Sequence, residues 1–134
     1  MKSKYCVVLT TINSGDLLKD YCAQAEAEDL RENLKFIVIP DKKSPAILYD
    51  NCKDIKKGGF NIDCPTLDEQ ESFLKRIGIM GDLIPYNSDN RRNVGYLMAL
   101  EWGCDVLISL DDDNYCIRGD SVFKSYATVS QKQV

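Results

Sequence analysis

The sequence predicts an α/β domain, an open and mostly parallel sheet flanked by helices. Three short apolar runs, at 5–12, 36–39 and 105–110, have the length and composition of strands buried on both faces. Stripes of apolar residues at helical spacing separate them, which implies crossover connections rather than hairpins. With 134 residues, 44% of them apolar and 28% charged, the chain has the size and make-up of one globular domain over 1–134.

Each element has a local reason. Tyr5 to Ile12 is rich in β-branched residues and is broken by Asn13-Ser14-Gly15. Asn13 or Ser14 is placed to cap the following helix, with Asp16 in its first turn. Leu17, Leu18, Tyr21, Ala25 and Leu30 form that helix's apolar stripe. Phe36 to Ile39 is the second strand, stopped at Pro40-Asp41 because proline cannot donate to a ladder. The stretch from about 43 to 63 reads as an irregular insertion, with Ser44-Pro45 and a Lys56-Lys57-Gly58-Gly59 turn. Within it, Ile47-Leu48-Tyr49 fits either a short strand or a helical turn. Thr66 and Glu69 have capping-box spacing and open a helix that buries Leu67, Phe73, Leu74 and Ile77 and ends at Gly78. Ser88 is placed to cap the next helix, whose buried side takes Val94, Leu97, Met98, Leu100 and Trp102 before Gly103 ends it. The third strand, 105–110, then runs straight into Asp111-Asp112-Asp113-Asn114. Periodicity fades after that, and about 128–134 is a polar tail.

Composition excludes several kinds of chemistry. The chain has no histidine, so Ser-His-Asp and Cys-His catalysis and Cys₂His₂ zinc sites are ruled out. A net charge of −4 without a long basic run argues against a nucleic-acid or anionic-membrane binder. No apolar run approaches the ~20 residues of a membrane helix. The run behind Met1-Lys2-Ser3-Lys4 is too short for a secretory signal, so a cytoplasmic location is expected. Six cysteines occur without a CxxC pair and are expected to be reduced and mostly buried.

Ligands of open parallel sheets bind beyond the carboxyl ends of the strands. Three polar clusters are expected there: Thr10-Thr11 through Ser14, Pro40-Asp41-Lys42, and Asp111-Asp112-Asp113-Asn114. Three adjacent carboxylates repel one another and need a cation or full solvation. In an extended segment Asp111 and Asp113 share one side, so both could face one hard divalent ion, Mn²⁺ or Mg²⁺. A solvated acidic turn is the plainer alternative. Asp41 is suited to accept hydrogen bonds from a base or ribose, or else is an ordinary turn aspartate. Arg91, Arg92 and Asn93 sit at the start of a helix, where arginine can add bidentate phosphate contacts; pairing with Asp89 or Glu101 is the alternative. Gly95, inside that helix, permits close packing on the sheet.

These pieces together resemble a family. The Thr10-Thr11 strand, the Pro40-Asp41-Lys42 strand end, the segment Pro85-Tyr86-Asn87 to Arg92-Asn93-Val94-Gly95-Tyr96, and Ile108-Ser109-Leu110-Asp111-Asp112-Asp113-Asn114 look like the nucleotide-sugar-binding half of a GT-A glycosyltransferase. Within that superfamily the chain resembles the STELLO-like glycosyltransferases and, more distantly, the reversibly glycosylated polypeptides. The resemblance spans about 5–116. It implies the Rossmann-like half of a GT-A domain that binds a nucleotide sugar, with a UDP-sugar favoured. It further implies a DxD-type motif at Asp111-Asp113 on Mn²⁺ or Mg²⁺, with Thr10, Thr11, Asp41, Arg91, Arg92, Asn93 and Asp111 around the donor.

The chain departs from the family in ending at Val134, soon after the aspartate run. The acceptor-shaping half has no counterpart, and no catalytic base or nucleophile can be named. The expectation is therefore a fragment, or a binding domain without transferase activity of its own, with an open sheet edge that favours self-association or covering by a missing half. A nucleotidyltransferase-like enzyme is a second reading, weakened by the absence of a Gly-rich loop after the first strand. A non-enzymatic nucleotide- or metal-binding interaction module is a third.

Overall fold

A computed structural model of the chain describes residues 4–11, 13–79, 84 and 91–110. Eight elements follow in order: β1 (Tyr5–Thr11), α1 (Leu17–Ala27), β2 (Leu34–Pro40), α2 (Ala46–Lys57), β3 (Asn61–Asp63), α3 (Leu67–Arg76), α4 (Arg92–Trp102) and β4 (Val106–Leu110), with a single 3₁₀ turn at Arg31–Asn33. The four strands form one sheet in the order β3-β2-β1-β4, and every pairing is parallel. The expected α/β class, with helices flanking an open parallel sheet, is what the chain adopts. Register pairs Thr11 with Pro40, so β1 and β2 end level, and pairs Leu110, the last described residue of β4, with Leu9, two residues before the end of β1.

The apolar runs are continuous because both sheet faces are covered. On one face Tyr5, Val7, Leu9, Phe36 and Val38 pack against Leu17, Leu18 and Tyr21 of α1 and Leu48 of α2. On the other, Cys6, Val8, Ile37 and Ile39 meet Leu74 of α3 and Val94 and Ala99 of α4. Gly95 lets α4 sit directly on the strands: a Cβ there would lie 2.4 Å from Val8 Cγ1 and 3.1 Å from Ile39 Cγ1.

The expected irregular insertion at about 43–63 is corrected: it builds α2 and β3. The α2 stripe is Leu48, Asn51, Cys52 and Ile55, all buried at helical spacing. Its inward positions include an asparagine and a cysteine, which blurs the apolar period. Pro45 stands just before the first helical residue, where a missing N–H costs nothing. Asn51 Nδ2 donates to the Ser14 carbonyl at 2.8 Å, which satisfies the buried amide and ties α2 to the β1–α1 connection.

Smaller corrections follow. Neither Asn13 nor Ser14 caps α1; Asp16 is the cap residue and its side chain makes no cap bond. The Asn13 N–H instead takes Thr11 Oγ1 at 2.9 Å. Leu100 is exposed, at 70%, and Ala99 takes the buried position beside it. In α3 the fully buried residues are Leu74 and the polar Gln70, while Leu67, Phe73 and Ile77 are half-buried. The Thr66–Glu69 capping box is present in both directions, and α4 ends at Gly103 with a left-handed φ of 85°. Ser88 and the 128–134 tail lie outside the described residues. Among the described residues no helix is long and apolar enough to cross a membrane.

Candidate functional site at the strand ends

The strand order makes the gap between β1 and β4 special. From β1 the chain winds outward through β2 and β3 along one direction of the sheet, then returns to the other side of β1 as β4. A parallel sheet opens a crevice outside its carboxyl ends at such a reversal, because the connections leave in opposite directions. Thr10 and Thr11 close β1 there, and Leu110 of β4, directly before Asp111 in sequence, pairs with Leu9, the residue before Thr10.

The two threonines face opposite ways, as alternate residues of a strand must. Thr11 is buried, and its Oγ1 is held by the Asn13 N–H. Its carbonyl accepts from Ser44 Oγ at 2.5 Å, and the same hydroxyl accepts the Asp41 N–H at 2.8 Å. Ser44 thus joins the ends of β1 and β2 through one side chain. The Asp41 carboxylate accepts the Lys42 N–H through Oδ1 at 2.7 Å, which orients it at the end of β2. Thr10, half-buried, points to the α4 side and accepts from Arg92 Nε in a long 3.4 Å hydrogen bond. Arg92 is the first residue of α4, so its guanidinium stands where the start of the helix meets the end of β1.

Arg91 has a different position. It is 1% exposed, its Nε donates to Gln70 Oε1 at 2.9 Å, and its Nη1 donates to the Ile84 carbonyl at 3.0 Å. Gln70 Nε2 in turn donates to the Pro40 and Pro65 carbonyls at 3.0 and 3.1 Å. This buried chain links α4, α3 and the end of β2. Of the two arginines, Arg92 reaches the strand ends and Arg91 positions the elements behind them. Asn93 is exposed in the first turn of α4. Glu101 pairs with neither: both its oxygens take Arg76 Nη2 at 2.8 Å, an exposed link between α4 and α3. Asp111, Asp112 and Asp113 lie outside the described residues. Among those described, no group of three or more carboxylates and thiols is arranged to hold a metal ion.

Sequence reasoning missed Ser44, Gln70 and Asn51. Each is polar and each serves a backbone carbonyl, a role that leaves no periodic signal. Tyr96, half-buried in α4, shares a 2.8 Å hydrogen bond through its hydroxyl with Ser109 Oγ of β4.

The described cysteines, Cys6, Cys22, Cys52, Cys64 and Cys104, are all free thiols. Burial pushes Cys6 and Cys22 up to about 12, so neither is a nucleophile near neutrality. No protein-family model matches the chain, and neither does any curated protein.

Proposed function

We infer that the chain is a nucleotide-sugar-binding domain of the GT-A glycosyltransferase type, with the donor seated at the carboxyl ends of β1, β2 and β4. The observation that carries this reading is the meeting of Thr10, Thr11, Asp41 and Arg92 at the point where the strand order reverses, with β4 running on into the aspartate run. In this reading Asp41 accepts hydrogen bonds from the base or ribose, as its place at the end of β2 suits. Thr10 and Thr11 form the floor of the pocket. Arg92 supplies a fixed positive charge to the diphosphate, and Asn93 lies one residue on.

Asp111 and Asp113 are the residues that would hold Mn²⁺ or Mg²⁺. An all-oxygen donor set suits a hard divalent ion, and Leu110, the residue before Asp111, pairs with Leu9, the residue before Thr10. When bound, such an ion neutralises charge on the nucleoside diphosphate as a Lewis acid. The domain's own part is to bind and orient the donor.

Calorimetric titration with UDP, with GDP as comparator, tests this in the presence and absence of Mn²⁺. The reading expects UDP binding that requires Mn²⁺ and that Asp113→Asn abolishes, since removing one paired carboxylate costs on the order of 2–4 kcal/mol. A folded protein that binds Mn²⁺ but neither nucleotide is instead a metal-binding module, and the donor-site reading fails.

A further inference from the structure

Two thiols outside the strand-end site are paired. Cys52, on the second turn of α2, is 4% exposed, and Cys64, just after β3, is half-buried and packs against the same cluster. Their side chains are hydrogen-bonded to each other. Both open onto a groove of about 430 Å³ at the β3 edge of the sheet, which Tyr49, Lys53, Pro65 and Glu69 also line. Reagents therefore have a path to a dithiol that the core would otherwise enclose.

We propose that Cys52 and Cys64 are a redox modification site, closing to a reversible disulfide when the protein meets a peroxide. The pairing is set by the fold: α2 returns along the sheet so that its second turn lies beside the chain leaving β3, and twelve residues of sequence separation become one side-chain contact. A disulfide needs its sulfurs about 2.05 Å apart, a short approach for two thiols already in contact. The groove decides access, and the hydrogen bond favours the first thiolate to form, because the remaining thiol of the pair donates to it.

The chemistry balances without any other redox group. Written with Cys52 as the first thiolate, and equally with the two sulfurs exchanged, the thiolate attacks one oxygen of hydrogen peroxide, the O–O bond breaks, and the departing hydroxide takes a proton to leave as water. Cys52 is then a sulfenic acid. The Cys64 sulfur attacks the Cys52 sulfur, the S–O bond breaks, and a second water leaves with the Cys64 proton. Two thiols have lost two electrons and two protons, and one peroxide has become two waters. A dithiol reductant reverses the step through a mixed disulfide.

The test is a non-reducing digest of the folded wild-type protein after one equivalent of hydrogen peroxide, with remaining thiols alkylated. The expected product is a linked peptide pair carrying Cys52 and Cys64, two hydrogens lighter than the two peptides together, which dithiothreitol returns to the free thiols. In Cys64→Ser the reaction is expected to stop at a Cys52 sulfenic acid that dimedone traps. Cys22 is the rival, since it lies near enough to Cys52 for their charges to interact. A Cys22–Cys52 link as the main product overturns the proposal. So does full alkylation of Cys52 and Cys64 under conditions that oxidise Cys104. The wild-type digest decides between these results whether or not the variant folds.

Discussion

A guanidinium can be buried only where its N–H groups find acceptors, since an uncompensated charge in the interior is strongly unfavourable. Arg91 finds acceptors for Nε and Nη1 in Gln70 and the Ile84 carbonyl, and Gln70 carries the link on to Pro40 and Pro65. Gln70→Leu removes an acceptor from Arg91 and a donor from two carbonyls. It is expected to lower unfolding free energy by about 2–4 kcal/mol in urea denaturation. A loss under about 0.5 kcal/mol, the size of an ordinary surface substitution, would show that the chain of hydrogen bonds is not structural. Arg92 is the opposite case. It is half-buried and reaches Thr10 Oγ1 through a long hydrogen bond, so Arg92→Ala should cost less stability than Gln70→Leu while weakening UDP binding. The sequence shows why the two could not be told apart beforehand. They are neighbours at a helix start, and only the direction of α4 turns one inward and the other toward Thr10.

At the scale of elements, legibility followed period and punctuation. The sequence marked β1, β2 and β4 because unbroken β-branched runs have few other uses. It marked α3 because Thr66 and Glu69 form their capping box from local residues alone. Thr66→Ala should accordingly cost about 1 kcal/mol, read as a fall in thermal midpoint. The sequence hid α2, whose inward face mixes Leu48 and Ile55 with Asn51 and Cys52, and whose partners are forty residues away in β1 and α1. Gly95 lies between these extremes. A glycine in a helix suggests either weakness or close approach, and the 2.4 Å gap to Val8 makes it close approach. Gly95→Ala gains up to about 1 kcal/mol of helix propensity but loses about 1–3 kcal/mol to overpacking. Stability should fall, and adding Val8→Ala should restore part of the loss. If Gly95→Ala alone is stabilising, α4 does not rest on β1 as described.

At the scale of the whole molecule, buried acids set the response to alkali. Cys6 and Cys22 are pushed up to about 12 from an ordinary thiol value of 9.0, chiefly by desolvation. Above pH 9 the unfolded chain releases protons that the folded chain keeps, so stability falls as pH rises. The decline should begin near pH 9 and continue toward pH 12, and Cys6→Ala should reduce its slope in urea midpoints measured across that range. A slope unchanged by the substitution would assign the alkaline loss to other groups.

The central claim concerns where a ligand meets this sheet. The all-parallel order β3-β2-β1-β4 brings the ends of β1 and β2 level, sets Leu110 of β4 opposite Leu9, and reverses direction beside β1. The claim was partly legible in the sequence, because polar clusters ended its strands, but strand order and the Ser44 bridge belong to tertiary structure. Paramagnetic broadening of backbone amide signals by Mn²⁺ with UDP maps the site directly. The account predicts the strongest broadening at Thr10, Thr11, Asp41 and Leu110, with Tyr5, Leu34 and Val106 at the opposite end of the same strands little affected. Broadening centred on Tyr5, Leu34 and Val106, or none that depends on UDP, would contradict it.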